Sequence, residues 1–399
     1  MTVTETEKIL ARGCGREKVR PGEIVEVEVD RAMIHDNNAA LVIGNFGKIV
    51  DASVRDPKRV AFFIDHHSPS TSTKAVKHQS LMRRFAKEHG IGLFYDCGQG
   101  ISHIVMLEEA LAGRGKIVVG TDSHTTGEGA DGAFATGIGA TEMAAVLATG
   151  RIWLRTPETV RVELAGHLSQ NADVRDLMTQ VLGRFGPEGA NYCAVEFHGA
   201  GAEAMSREER VVCCVLSMEM GAKNALFASG EDTAECSRTE RFDLRTVEPT
   251  IAIPSLPTNA RPLSEVASQK IRIDQAFAGS CTGGLLRDLK KASEVVQGKK
   301  VAEGVRFLVI PASRKIYNEA LALGYLKILH DAGAVIGSPA CGACGGHDAG
   351  ILAEKEVCIA NSPRNMEGRM GAGGVVYLGS TATVAASAVA GHVTGAERD

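Results

Sequence analysis

Two cysteines, Cys341 and Cys344, lie among glycines in Gly337-Ser338-Pro339-Ala340-Cys341-Gly342-Ala343-Cys344-Gly345-Gly346-His347, just past the apolar run Ala334-Val335-Ile336. Thiolates at that spacing suit a soft metal or a redox pair, and glycines let the backbone come close to whatever they hold. Cys281 stands in a second loop of the same form, Ala278-Gly279-Ser280-Cys281-Thr282-Gly283-Gly284. A structural zinc would take Cys341, Cys344, His347 and Cys358, although Cys358 falls inside an expected strand. A thioredoxin-like pair would open a helix after the first strands of a small domain, which this motif does not do. Cys281, Cys341 and Cys344 on neighbouring strand ends would suit an iron–sulfur cluster with one iron left open. Spacing alone leaves cluster, zinc and inert thiols open.

Acid–base groups recur at strand ends. Val60–Ile64 runs into Asp65-His66-His67, and Lys116–Val119 runs into Gly120-Thr121-Asp122-Ser123-His124-Thr125. His103 follows one loop after the short strand Leu93–Tyr95. Apolar packing does not require polar residues there, and in parallel sheets ligands bind beyond the carboxyl ends of strands. These positions are therefore expected to converge on one crevice; the plainer alternative is a set of solvated loop residues. Arg364-Asn365-Met366-Glu367-Gly368-Arg369 places two guanidiniums in a loop, and paired forks suit carboxylates. Gly127-x-Gly129-x-x-Gly132 matches a dinucleotide pattern by count but does not follow a strand directly, so it reads as chance or close helix packing. No phosphate loop and no His-Glu-x-x-His appears.

The elements that must carry these groups alternate. Strands are expected at Ile24–Asp30 and Ala39–Ile43, then Val60–Ile64, a helix at Thr73–His89, the strand Leu93–Tyr95, a helix near His103–Leu111 and the strand Lys116–Val119. The rhythm restarts with strand Arg161–Leu164, helix Val174–Leu182, strand Tyr192–Phe197, helix Arg207–Met220 and strand Ala225–Ala228. Glu235 to Pro262, polar and proline-bearing, reads as a linker. Strands follow at Gln275–Ala278, Arg306–Ile310, Ala334–Ile336, Val357–Ala360 and Val375–Leu378. Such alternation implies mainly parallel sheets with helices on their faces. Three α/β units fit, at 1–157, 158–262 and 263–399.

Composition narrows the function classes. A net charge of −4 with no basic block argues against a nucleic-acid surface. The polar Met1–Lys18 stretch has no apolar core of a secretory signal, and the ten cysteines are unevenly spaced, so a reducing cytoplasm is expected. Val375–Val393 is the most membrane-like stretch, but its small residues suit a strand and a close-packed helix. Cys213-Cys214 reads as core.

Taken together, Gly120-Thr121-Asp122-Ser123-His124-Thr125, Gly129-Ala130-Asp131-Gly132-Ala133, Gly137-Ile138-Gly139-Ala140-Thr141-Glu142, Ser280-Cys281-Thr282, Cys341-Gly342-Ala343-Cys344, Arg364-Asn365-x-x-Gly368-Arg369, Val195-Glu196-Phe197-His198-Gly199 and Asp65-His66 resemble the aconitase superfamily, in order and over nearly the whole chain. The length is most similar to large subunits of the 3-isopropylmalate dehydratase and homoaconitase type. The resemblance implies three α/β/α domains around a central cleft. It implies a [4Fe-4S] cluster on Cys281, Cys341 and Cys344. It makes His66, oriented by Asp65, the acid for a departing hydroxyl; His103 with Asp122, plus His124 and Glu196, would position water and substrate. Ser123 would help bind the substrate, and Arg364 and Arg369 would grip its carboxylates.

The implied activity is a hydro-lyase or isomerase acting on a small 2-hydroxy di- or tricarboxylic acid, 3-isopropylmalate being one and homoaconitase, dimethylmalate, citramalate or maleate hydratase chemistry the alternatives. A non-catalytic iron–sulfur relative is the second class. The resemblance also implies a small partner subunit carrying a swivelling domain and the serine base, because Ser206-Arg207-Glu208 here reads as a helix cap. No nucleic acid and no membrane partner is expected. Two departures stand out: Gly283 where the family carries Asn after Ser-Cys-Thr, and Leu285 where many relatives of the isopropylmalate type carry Arg. His35-Asp36 resembles the isopropylmalate branch.

Overall fold

A computed structural model describes residues 3–229, 234–346 and 348–396. Its first large sheet is wholly parallel, with strands ordered Leu93–Tyr95, Val60–Phe63, Arg31–His35, Ile117–Gly120 and Phe134–Gly137. The chain starts in the middle, winds outward, then returns to the other side. Adjacent connections leave in opposite directions between Arg31–His35 and Ile117–Gly120, which opens a crevice at their carboxyl ends.

The third large sheet repeats this order. Its parallel part reads Val375–Leu378, Val357–Ala360, Gln275–Ala278, Arg306–Val309 and Val335–Ile336. Its crevice lies between Gln275–Ala278 and Val357–Ala360, where the chain runs on to Cys281 and to Arg364. Between these sheets in sequence comes a parallel four-stranded sheet, ordered Asn224–Phe227, Ala194–His198, Thr159–Ala165 and Arg238–Asp243. A small antiparallel pair, Ile24–Glu28 with Arg151–Arg155, forms a separate two-stranded sheet.

Three expectations are corrected. The central strand Arg31–His35 was not anticipated, and Ala39–Ile43 is part of a helix, Asp36–Phe46. Its buried Ala39, Val42 and Phe46 recur at helical spacing, whereas the run Ala39-Ala40-Leu41-Val42-Ile43 looks uniformly apolar. The stretch 235–262 is not a plain linker. Arg238–Asp243 joins the second sheet, and Thr250–Ala252 and Ala260–Pro262 add antiparallel edge strands to the third. Its prolines sit at edges and turns, where no ladder donor is lost.

Other readings coincide with the structure. Thr73–Glu88 is a helix capped by Ser72, whose hydroxyl accepts from Ala75 N. Ser206 caps Arg207–Ser217 in a reciprocal box with Glu209. Val375–Leu378 is a strand and Thr381–Ala390 a helix, and no helix among the described residues is long and apolar enough to cross a membrane. The glycine pattern serves close packing: a Cβ on Gly129 would lie 1.7 Å from the Ala225 carbonyl oxygen. Cys213 and Cys214 are wholly buried in the main core.

Candidate active site

The two crevices meet. Arg364 Nη2 donates to Ser123 Oγ at 3.0 Å, and the Cys341 amide donates to the Asp65 carbonyl at 2.9 Å. The strand ends of the first sheet therefore face the cysteine and arginine loops of the third.

Asp122 stands at the centre of a histidine cluster. One carboxylate oxygen is 3.3 Å from His66 Nε2; the other is 3.4 Å from His103 Nε2 and 3.6 Å from His124 Nδ1. That second oxygen also accepts from His124 N at 2.7 Å, which caps the short helical turn Ser123–Asp131. Behind His66, the fully buried Asp65 takes Nδ1 at 2.8 Å and the Ser102 amide at 2.8 Å. Behind His103 lies Glu128, 3.2 Å from Nδ1 and likewise fully buried.

Electrostatics separates the three rings. Burial works against the imidazolium of His66, yet Asp65 and Asp122 outweigh it and hold the pKa well above its ordinary value. His103 behaves alike: burial opposes charge, but Glu128 and Asp122 raise it to about 10. His124 goes the other way, lowered by burial and by the Arg364 cation. The site thus holds two protonated imidazoles on one carboxylate and a neutral third, a set able to give a proton to a leaving group and to orient a polar substrate.

Arg364 and His124 share a partner that the sequence reading missed. Glu219 Oε1 accepts from Arg364 Nε at 2.7 Å and sits 2.8 Å from His124 Nε2. Burial disfavours its carboxylate, but His124 and Arg364 hold its pKa below the usual range. The usable signal was an acidic residue in Ser217-Met218-Glu219-Met220-Gly221, at the end of an apolar helix where a solvated side chain would not need methionine neighbours. Glu196 is not brought to this cluster. Its Oε1 accepts from Thr6 N at 2.8 Å and its Oε2 lies 3.4 Å from His198 Nε2, which ties the N-terminal segment to the second sheet. Arg369 donates from Nε to the Cys344 carbonyl at 2.9 Å, so part of its fork is spent on the cysteine loop.

The three cysteines of interest are gathered here. Cys281 and Cys344 are buried, Cys341 and Cys344 perturb each other's thiols, and Cys281 is within electrostatic reach of Cys344, Asp122 and Arg364. None is in a disulfide. Around a single zinc, sulfurs would sit only about 4 Å apart. Among the described residues the one group of potential ligands whose atoms all lie within 4.8 Å of one another is His35, Asp36, Asp65 and His66, with no cysteine in it. Cys358, the fourth thiol of the zinc reading, points instead into the core; burial pushes it up to about 12, and its Sγ faces the Ile359 carbonyl. His347 lies outside the described residues. Three convergent soft donors, spread wider than one ion needs and with no fourth thiol, fit an iron–sulfur cluster with an open corner.

Residues 7–241 and 231–391 match the aconitase family (aconitate hydratase). The chain belongs to the aconitase family. It is 42% identical over 415 residues to the large subunit 1 of 3-isopropylmalate dehydratase from Methanopyrus kandleri, covering 99% of each chain. It is also 42% identical over 414 residues to the homoaconitase large subunit of Thermus thermophilus, covering 99% of this chain and 97% of that one. The crystal structure of Thermococcus kodakaraensis aconitase X in its holo-form superposes with a TM-score of 0.54 at 14% identity, over 92% of this chain and 94% of that one, a likeness of fold.

Within this aconitase-family chain, the departure at Leu285 is a packing matter. Its side chain is 1% exposed and lines an apolar space with Ile104, Leu107, Val211 and Ile316, at the joint between helices. The loops around Cys281 are held from behind by the buried Arg175. Its Nη1 donates to the Asn361 carbonyl at 2.8 Å and to Thr282 Oγ1 at 3.3 Å.

Proposed function

We propose that this chain is the cluster-bearing large subunit of a hydro-lyase that removes water from a small 2-hydroxy di- or tricarboxylic acid and returns it in the other orientation, of the 3-isopropylmalate dehydratase type. One observation carries the reading: Cys281, Cys341 and Cys344 converge beside an acid–base cluster centred on Asp122, in a family whose relatives at 42% identity bear dehydratase and homoaconitase names.

Cys281, Cys341 and Cys344 would hold a [4Fe-4S] cluster, which when bound supplies a Lewis-acidic iron for the substrate hydroxyl. His66 carries a proton on Nε2 and gives it to the departing hydroxyl; Asp65 fixes the ring by taking Nδ1. Asp122 receives the charge of His66 and His103 and keeps both rings aimed at one point. Arg364, steadied by Glu219 and Ser123, and Arg369, steadied by the Cys344 carbonyl, present guanidinium N–H groups to substrate carboxylates. A cavity of about 390 Å³ opens on Asp122 and Ser123 and is lined further by Ile138, Tyr192, Met218 and Lys223, away from the cysteines and arginines.

The proton on carbon needs a base. We assign it to a serine of a small partner subunit, in keeping with the large-subunit names of the relatives. Homoaconitase chemistry is the second reading, because the relative of that name is equally similar. The test is reconstitution of the full chain with iron and sulfide under anaerobic conditions. Visible absorption and iron content are read first. Candidate acids are then screened with the small subunit by ultraviolet absorbance of the unsaturated product. A colourless protein with stoichiometric zinc overturns the cluster; turnover by this chain alone overturns the partner.

A further inference from the structure

His35 is buried, at 2% exposure, and belongs to no role assigned above. Its ring stacks on the ring of His66, with centroids 4.3 Å apart and planes 30° from parallel. Its Nε2 is 3.1 Å from the Thr121 carbonyl and 3.8 Å from the nearer Asp122 oxygen, and its backbone amide donates to Thr121 Oγ1 at 3.2 Å. A carbonyl only accepts, so Nε2 carries the hydrogen and Nδ1 is a bare acceptor. That Nδ1 is buried with no hydrogen-bond partner.

A hydrocarbon ring would fill this place without an orphaned nitrogen. It would also leave no carbonyl stranded, because Asn38 Nδ2 donates to Thr121 O at 2.9 Å. Packing therefore does not call for an imidazole. What the imidazole adds is a link. One ring touches the face of His66 and the residue that precedes Asp122, and so sets how His66 Nε2 meets the Asp122 carboxylate. The next residue completes the mount: Asp36 accepts from His66 N at 3.0 Å and His67 N at 3.1 Å, with Gln79 donating to it at 3.2 Å. His35, Asp36, Asp65 and His66 lie close together, and each carboxylate oxygen there already accepts at least one hydrogen bond, three on Asp36 and two on Asp65, so this group reads as a hydrogen-bonded mount for His66.

We propose that His35 is a positioning residue for His66: stacked on its ring and bonded to Thr121, it holds the acid at its angle and distance to Asp122, while Asp36 fixes the backbone of the same residue. The inference rests on the hydro-lyase reading for its kinetic consequence only.

The test uses the full chain with its cluster and small subunit, and compares His35→Phe, His35→Gln and wild type. His35→Phe keeps a flat face and removes the orphaned nitrogen, so it is expected to melt no lower than wild type. It loses the Thr121 bond, and kcat is expected to fall about tenfold, within the range that small misplacements of a catalytic group produce, with KM changed less than about twofold. His35→Gln, able to donate to Thr121, is expected to recover most of that loss. The second readout needs no turnover: in isotope-labelled full chain, the hydrogen-bonded ring proton of His66, assigned with His66→Gln, is expected to shift or broaden in His35→Phe. A stable His35→Phe with wild-type kcat, or with an unmoved His66 signal, overturns the proposal. Should wild type turn over none of the acids, the hydro-lyase reading falls, and the His66 signal alone decides the positioning of its ring.

Discussion

The Asn361 side chain occupies the volume that any side chain at Gly283 would need. A Cβ there would lie 1.9 Å from Asn361 Oδ1 and 2.0 Å from its Cγ. The amide is fully used: Oδ1 accepts from Gly279 N at 3.0 Å, and Nδ2 donates to the Gly283 carbonyl at 3.0 Å and to Thr381 Oγ1 at 2.9 Å. The departure from the family's Asn at position 283 is thus matched by an amide reaching in from the neighbouring strand end. Gly283→Ala is expected to displace Asn361 and to lower stability by about 1–3 kcal/mol, the range for overpacking and a broken buried bond. Urea denaturation reads it. Gly283→Asn combined with Asn361→Gly is expected to restore more stability than Gly283→Asn alone.

Glu219 joins His124 to Arg364, and removing its charge disturbs both. Glu219→Gln keeps the shape but weakens two charge-assisted contacts of 2.8 and 2.7 Å. With the small subunit present, kcat/KM is expected to fall about a hundredfold, with KM rising because Arg364 loses its seat. Arg364→Lys, which cannot form a fork, is expected to raise KM by a similar factor. Steady-state kinetics separates the parameters.

The pH profile follows from His66. Its folded pKa is raised, so the stability it contributes is fully present below its unfolded value of about 6.5 and is lost as pH rises through the folded value. As the proton donor it is active on the same side. Asp65→Asn weakens the support at Nδ1, so the alkaline limb of kcat/KM is expected to move to lower pH. A limb that stays in place in Asp65→Asn would remove His66 from the role of acid.

Glu196 and Glu219 differ in where substitution is felt. Glu196→Gln is expected to lower stability by about 1–3 kcal/mol, since its carboxylate is buried against Thr6 N and His198. Its kcat should stay within about threefold of wild type, because among the described residues its side chain meets Thr6 and His198 rather than the Asp122 cluster. Thermal melting and kinetics on one preparation decide.

Among the cysteines, Cys281→Ser, Cys341→Ser and Cys344→Ser are each expected to abolish iron retention and visible absorption after reconstitution. Cys358→Ser is expected to retain both, since that thiol lies in the core of the third sheet. Iron loss from Cys358→Ser would revive a ligand set that includes it.

What was legible in the chain followed from local chemistry. Asp122-Ser123-His124 declared itself because polar residues stood between a wholly buried strand and a glycine-rich turn. The cysteine loops did so because glycines flanked them. Arg31–His35 was illegible because its strand opens on Asp30-Arg31 and closes on His35-Asp36, so only three apolar residues mark it. Its central place depends on strand order, which no local pattern encodes. Glu219 was hidden for a related reason: its partners, His124 and Arg364, are 95 and 145 residues away. Glu196 sits near a strand end, but that its side chain turns toward Thr6 depends on how the N-terminal segment packs, which no local pattern encodes.

The contact between Arg364 and Ser123 spans 241 positions of the polypeptide. This tie between the two crevices cannot form until Arg364 has been synthesised, and Cys341 and Cys344 leave the ribosome long after the Asp65 loop that they come to face. A premature stop before Arg364 also removes Val375–Leu378, so the third sheet loses an interior strand together with the guanidiniums meant for a carboxylate.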